Sequence, residues 1–144
     1  MEKKAEVKIL NDFLQGNYMG IHSYEHLIEK IESPTLKDSF IKIQKDLKTH
    51  AAIISERIQR LNGTPVTSEG LIGKVESFVG NLFESYKTDE DIIKHAIKGE
   101  NIYGIRNSEK LVRDKLGDEN LQLVHQILEK DREHIDYLKS LLHS

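Results

Sequence analysis

Cysteine is absent from this 144-residue chain, which excludes disulfide bonds, thiolate metal sites and cysteine nucleophiles. Proline is scarce as well, with only Pro34 and Pro65. Because an internal proline breaks or kinks a helix, its scarcity leaves long stretches in which helices can form without interruption. Charged residues make up 31% of the chain, a proportion that suits solvated helix faces better than long strands.

Long apolar runs and an excess of positive charge are also missing. No window approaches the ~18 consecutive apolar residues of a membrane span, and the N-terminal MEKKAEVKIL lacks the continuous apolar core of a signal peptide. The net charge of −3 predicts no general attraction to nucleic acids or to anionic membranes. We therefore expect one cytoplasmic domain over residues 1–144, with neither a nucleic acid nor a membrane as its partner.

The apolar residues that are present recur at steps of three and four, the spacing of one face of an α-helix. Ser33 and Pro34 supply an N-cap and a first-turn proline for one helix, and Gly63 is a candidate for its left-handed C-terminal residue. Thr88, followed three residues later by Asp91, resembles a capping box at the start of another. The pattern predicts four long helices, over about residues 5–31, 34–62, 89–115 and 118–142.

The lengths of the links between these helices predict the topology. The first and third links are short, which makes the helices that they join antiparallel neighbours, whereas about 25 residues join the second and third helices. A long crossover lets those two helices run parallel, as in ferritin-like bundles. It contains an amphipathic stretch that predicts a short extra helix over residues 69–86. The predicted fold class is all-α, a ferritin-like four-helix bundle with a long 2–3 crossover.

Polar residues interrupt the apolar faces of these helices. In the fourth helix, Asp131 stands in the apolar stripe, and His134 follows one turn later. Asn17 occupies a core position of the first helix. A buried carboxylate is costly unless it is neutralised, hydrogen-bonded or bound to a metal, so Asp131 requires a partner. The expected core face of the third helix is weakly apolar and comprises Ile93, Ala96, Ile97, Glu100, Tyr103, Gly104, Asn107 and Leu111.

The two halves of the sequence align without gaps at an offset of 84 residues. GIHSYEHLI, from Gly20, lies on GIRNSEKLV, from Gly104, and IQKDLKTH lies on ILEKDREH. A shared offset across two helix pairs indicates a duplicated helical hairpin. It makes His50 and His134 mates under a pseudo-twofold axis, and it places Leu47 opposite Asp131.

The polar core residues are expected to meet in the middle of the bundle. Counting outward from the two short turns places His50 level with Asn17, and Asp131 and His134 level with Glu100. Carboxylates and imidazoles are ligands for divalent transition metals such as iron, manganese and zinc. The candidate metal ligands are Glu100, Asp131, His134 and His50, with His22 and Asn17 as weaker candidates.

With these features in this order, the chain resembles the ferritin-like superfamily, and more narrowly an uncharacterised bacterial family of ferritin-like four-helix proteins. The resemblance rests on LNDFL in the first helix, SPTLKDSF at the first turn, RLNGTP after the second helix, KGEN on the third and REHIDYL on the fourth. It implies a metal-binding bundle linked to stress responses. If the protein has an activity, it implies oxygen or peroxide chemistry at iron.

The chain departs from the ligand set of di-iron bundles, in which two helices supply one Glu each and two supply Glu-x-x-His. The fourth-helix motif is present as Asp131-x-x-His134, with Asp in place of Glu. The second helix keeps His50, but Leu47 replaces the carboxylate three residues earlier, and the first-helix carboxylate is absent at Asn17. One half of the paired site is therefore degraded.

Two functions are compatible with these residues. The first is a ferritin-like protein that binds a divalent transition metal (iron, zinc or manganese) in a degenerate site at mid-bundle. The second is a non-enzymatic structural or interaction bundle, in which the vestigial site is a hydrogen-bonded polar network without metal. A homodimer, formed through apolar residues of the 69–86 segment, is compatible with either function.

Overall fold

The computed structural model describes residues 3–68, 88–113 and 115–142, and within these ranges it contains helices and no strand. The expected crossover helix over residues 69–86 lies outside the described residues. None of the described helices is long and apolar enough to cross a membrane. The helices are α1 (Lys3–Lys30), α2 (Pro34–Arg60), α3 (Asp89–Lys98), a π-helical segment (Gly99–Arg106), α4 (Asn107–Val112) and α5 (Asp118–Leu142).

Three of these elements form one continuous rod, which we call the third helix: α3, the π segment and α4. The backbone stays in the right-handed helical region at both junctions, Gly99 and Asn107. The third helix contacts both α1 and α5, and α1 packs along α2. The described chain is thus an all-α bundle of four long rods, as the sequence predicts.

The N-terminal caps predicted from sequence are present in the structure. The side chain of Ser33 accepts a hydrogen bond from the backbone N–H of Leu36 (3.3 Å), and Pro34 is the first helical residue of α2. Thr88 accepts in the same way from the N–H of Asp91 (3.1 Å). These bonds satisfy N–H groups that have no partner within the first turn of a helix.

The end of α2 differs from the prediction. Asn62, not Gly63, takes the left-handed backbone conformation, with a φ of 64°. Asparagine tolerates this conformation better than most residues. Gly63 serves a different purpose, because a Cβ atom there would lie 2.6 Å from Cγ1 of Val7 on α1. The glycine lets the turn after α2 approach α1 closely.

The π segment corrects the predicted face of the third helix. Gly104, Asn107 and Leu111 were expected in the core, yet Asn107 is exposed and the other two are only partly buried. A π turn bonds residue i to i+5 and so moves the following residues out of α-helical register. The residues that are buried instead each lie one position later in the sequence than the expected ones: Ile105, Ser108 and Val112.

The hydrophobic core runs the length of the bundle. Burial of each large apolar side chain stabilises the fold by about 1.5–3 kcal/mol, so these residues dominate its stability. The midsection is different, because polar side chains replace apolar ones there. The most completely buried large side chains are Phe40, Leu10, Leu14, Leu27, Ile54, Ile58, Leu128 and Leu138.

Candidate metal centre

A buried cluster of carboxylates and imidazoles lies at the middle of the bundle. α5 supplies Asp131 and His134, which its i, i+3 spacing places on the same side of the helix. The π segment supplies Glu100. His134 Nδ1 lies 3.4 Å from Glu100 Oε1 and 3.7 Å from Asp131 Oδ1. One ligand atom from each residue lies within 4.8 Å of the others, so all three could reach a single ion.

α2 adds His50 to this cluster. Its Nδ1 lies 3.9 Å from Asp131 Oδ1, and both side chains are about nine-tenths buried. The two histidines related by the sequence repeat, His50 and His134, thus approach the same carboxylate from different helices. Four predicted ligands share one site, and they come from three of the four long rods.

The two weaker candidates have different surroundings. Asn17 is buried and lines a cavity whose wall also includes Glu100 and Asp131. His22 pairs instead with Glu25 on its own helix, where Nδ1 lies 3.3 Å from Oε2. Among the described residues, no ion pair joins His22 to the cluster.

Within residues 3–68, 88–113 and 115–142, several buried polar atoms of the cluster have no hydrogen bond. Its internal distances of 3.4–3.9 Å exceed those of good hydrogen bonds, which are 2.7–3.2 Å for nitrogen and oxygen. Buried polar groups are nearly always paired, because an unpaired one costs about 1–3 kcal/mol. A cation at the centre would pair them, so these residues fit a metal. The atoms are Glu100 Oε1 and Oε2, Asp131 Oδ1, His50 Nδ1 and His134 Nδ1.

Burial and mutual repulsion shift the carboxyl groups toward their neutral forms. Burial, followed by the charge of Glu100, raises the pKa of Asp131 to about 7. Burial also raises the pKa of Glu100, and the opposing interactions with His134 and Tyr24 offset that rise only in part. Both carboxyls therefore hold protons more tightly than exposed ones do, and a bound cation would have to displace those protons.

The two histidines shift in opposite directions. Burial alone would lower the pKa of His134, but the close approach of the Glu100 carboxyl, the hydrogen bond to Asp46 and the nearby negative charges outweigh it and raise the pKa. Burial, together with the charge of His134, lowers the pKa of His50. His50 is therefore the better neutral ligand, whereas His134 depends on its carboxylate partners.

Asp46 is a member of the site that sequence reasoning missed. Its Oδ2 lies 2.8 Å from His134 Nε2, and its side chain is 41% exposed. A carboxylate that accepts the N–H of one ring nitrogen leaves the other nitrogen free to bind a metal and fixes the orientation of the ring. Here the free nitrogen is Nδ1, the one that faces Glu100 and Asp131. The sequence feature that could have identified Asp46 is its position one helical turn before His50.

Tyr24 is a second member of the site that the sequence did not predict. Its ring packs edge-on against Phe40, with 5.3 Å between the centroids. Burial, followed by the nearby carboxyl of Glu100, raises the pKa of Tyr24 well above its ordinary value, so the phenol stays protonated. Its hydroxyl makes no hydrogen bond of standard geometry. Tyr24 lies on the predicted apolar stripe of α1, and a stripe position alone does not distinguish a core tyrosine from a site residue.

Comparison with known proteins supports the ferritin-like fold. A bacterioferritin-related protein from Bacteroides fragilis, described as a dodecameric thioferritin, superposes with a TM-score of 0.72 at 17% identity. The match covers 99% of this chain and 87% of that one. No curated protein matches the sequence. The model of a family described as a domain of unknown function, DUF2383, matches residues 5–114, which include Glu100 but not Asp131 or His134.

Proposed function

We propose that this chain, which belongs to the DUF2383 family and has a ferritin-like fold, binds one divalent transition-metal ion at mid-bundle. Glu100, Asp131 and His134 would hold the ion, and His50 would complete the set. The observation that carries the proposal is the convergence of five buried ligand atoms for which the described residues supply no hydrogen-bond partner.

The donor set is compatible with iron, zinc and manganese, and the similarity to a ferritin-like protein favours iron. Imidazole suits iron and zinc, whereas carboxylate alone suits magnesium, calcium and manganese, so a mixed set selects a transition metal. When bound, iron would supply oxygen or peroxide chemistry. The protein would keep the ion away from bulk water, hold His134 in place through Asp46, and provide the protonated phenol of Tyr24 beside the ion.

Metal analysis tests this proposal. Protein purified without chelators and loaded anaerobically with Fe²⁺ should retain close to one ion per chain after desalting. Asp131→Ala should lose that ion, because the variant removes a ligand and leaves the fold's apolar core intact. The matched control is His125→Ala, which removes an exposed histidine from the same helix and should retain the ion. Equal retention by the Asp131 variant, or no stoichiometric metal in any sample, would reject the proposed site.

A vestigial site is the competing function, and the degraded half of the repeat favours it. If the site is vestigial, its buried ionisable groups destabilise the fold and no metal offsets that cost. The double variant Asp131→Leu, His134→Leu would then be as stable as the parent or more stable. A metal-binding parent should instead gain stability from Fe²⁺, Zn²⁺ or Mn²⁺ and lose that gain in the double variant. Urea denaturation with and without each metal separates the two functions.

We also propose that copies of this chain associate in solution. The support is the dodecameric state of the structurally similar Bacteroides fragilis protein. Size-exclusion chromatography with light scattering should give a mass well above the 16.6 kDa of one chain. A mass of one chain across the micromolar range would contradict self-association.

A further inference from the structure

A cavity of about 260 Å³ lies between α1 and the third helix, beside the metal centre. Its inner end reaches Glu100 and Asp131, and Met19 and Asn107 on its wall are exposed at the protein surface. Most of the wall between these ends is apolar, with contributions from Phe13, Leu27, Leu47 and Ala96.

The cavity occupies the place of the missing half-site. Gly16 stands 84 residues before Glu100, and Leu47 stands 84 residues before Asp131, which is the offset of the internal repeat. Both Gly16 and Leu47 line the cavity. Where one half of the bundle presents Glu100 and Asp131, the other half presents Leu47, and Gly16 and Asn17 in place of the first-helix carboxylate. The space that a second set of metal ligands would occupy is therefore largely apolar.

The glycines around this space are not explained by close packing. A Cβ atom built on Gly16, Gly99 or Gly104 would meet no described atom within 4 Å outside its own stretch of helix. Glycine destabilises a helix interior relative to alanine, and a close backbone approach is the usual structural compensation. Gly16 is exposed and Gly99 and Gly104 are partly buried, so side chains at these positions would narrow the outer part of the cavity that they line.

Two buried hydrogen-bond donors point to the chemistry of a ligand. Asn17 and Tyr24 both line the cavity and are more than nine-tenths buried. Within the described part of the chain, neither the Nδ2 of Asn17 nor the hydroxyl of Tyr24 makes a hydrogen bond of standard geometry, although the Tyr24 hydroxyl lies near the carboxyl of Glu100. Both can donate to an oxygen atom. A carboxylate ligand would instead lose its hydration in a largely apolar space, which is costly for a charged group.

We propose that the cavity binds a small neutral molecule with a hydrocarbon body and one hydroxyl or carbonyl oxygen, of the size of a monocyclic phenol. An apolar cavity of about 150 Å³ is sufficient for benzene, so the larger space here holds a ring and a polar substituent. The hydrocarbon body lies among the apolar wall residues. The oxygen accepts from Asn17 or Tyr24. Binding requires no metal and goes beyond the metal-binding function.

Phenol titrated into metal-free protein tests this inference. Methyl-resolved NMR should show saturable shifts of Leu27, Leu47 and Ala96, with a dissociation constant at or below the millimolar range. Benzoate should bind at least tenfold more weakly, because burying its charge in a largely apolar cavity is costly. No saturable shift of these methyls in a folded sample, up to the solubility of phenol, would overturn the inference, as would tighter binding of benzoate.

A cavity-filling variant locates the binding. Gly16→Leu places a side chain in the open volume and should weaken phenol binding at least tenfold, while Zn²⁺ binding by calorimetry stays within twofold. The matched control is Ala52→Leu, at an exposed helical position of α2, which should bind phenol as the parent does. If Gly16→Leu does not fold, Gly104→Leu fills the opposite wall. Unchanged phenol binding in a folded cavity-filling variant would overturn the assignment, and the Zn²⁺ result reports separately on the metal centre.

Discussion

The interaction between Asp46 and His134 shows how one side chain at the edge of the site can control a buried one. Asp46 is partly exposed on α2, yet its hydrogen bond fixes which ring nitrogen of His134 faces the carboxylates. His134 is only 6% exposed, so removing Asp46 would leave its buried Nε2 without a partner and should cost some stability. The loss of ring orientation should also lower the metal affinity.

Asp46→Ala should lower the affinity for Zn²⁺ by about 10–100-fold, the usual cost of removing a group that orients a metal ligand. Asp46→Asn retains an acceptor oxygen, so its affinity for Zn²⁺ should lie between those of Asp46→Ala and the parent. Calorimetric titration measures both affinities. Asp38→Ala removes a carboxylate from the same helix that pairs with Lys42 at the surface, and it should leave the affinity unchanged. An Asp46→Ala protein that binds Zn²⁺ as the parent does would show that Asp46 does not position His134.

The protonation of Asp131 predicts how stability depends on pH in the metal-free protein. Its pKa is raised from 3.8 to about 7, so between these values the folded state keeps a proton that the unfolded state has released. The stabilisation that protonated Asp131 contributes is therefore fully present below about pH 4 and is lost as the pH rises toward 7. The raised pKa of Glu100 acts in the same direction, whereas the lowered pKa of His50 opposes it below pH 6.5.

Urea denaturation at pH 5 and pH 8 measures this dependence. The metal-free parent should be less stable at pH 8 by a few kcal/mol, since each pKa unit corresponds to 1.36 kcal/mol. Asp131→Asn should reduce the difference, because asparagine does not titrate. A parent that is equally stable at both values, or more stable at pH 8, would show that Asp131 ionises freely in the folded protein.

Among the elements, the start of the third helix is tied to the turn between α1 and α2. Asp89 accepts hydrogen bonds from the backbone N–H groups of Glu32 and Ser33, each at 2.9 Å. These bonds join the two helical hairpins at one end of the bundle. Asp89 also lies in the first turn of α3, where a negative charge interacts favourably with the helix dipole.

Asp89→Ala should destabilise the protein by about 1–3 kcal/mol, since it removes two hydrogen bonds to a charged group. Glu90→Ala alters the neighbouring position, where the side chain forms an exposed pair with Lys94, and should cost less than about 0.5 kcal/mol. Thermal and urea denaturation compare the two. Equal losses of stability in the two variants would mean that the hydrogen bonds from Asp89 to Glu32 and Ser33 do not stabilise the fold beyond the effect of a charge at the start of α3.

At the scale of the whole molecule, metal binding and folding are linked. The cluster joins α2, the π segment and α5, so an ion bound there stabilises the assembled bundle and not the unfolded chain. A metal at 100 times its dissociation constant should stabilise the fold by about 2.7 kcal/mol, which raises the melting temperature by roughly 5–10 °C. Differential scanning fluorimetry with Zn²⁺ and with Mg²⁺ measures this shift. Magnesium should have little effect, and equal shifts for both metals would contradict a site selective for transition metals.

The sequence alone determined the all-α class, the four long rods and the caps at Ser33 and Thr88. These features depend on the periodicity of apolar residues and on local backbone chemistry, which residues close together in the chain specify. It also singled out Glu100, Asp131 and His134, because polar residues in an apolar stripe stand out, and the structure brings them together.

The tertiary structure decided the features that depend on contacts between distant residues. The bond between Asp46 and His134 joins residues 88 positions apart, and the approach of Val7 to Gly63 makes glycine necessary there. The register of the third helix was also decided in this way, because a π turn is a small local cost that packing against α1 and α5 can outweigh. The cavity beside Gly16 has the same origin, since empty volume exists only between packed elements and no local pattern encodes it.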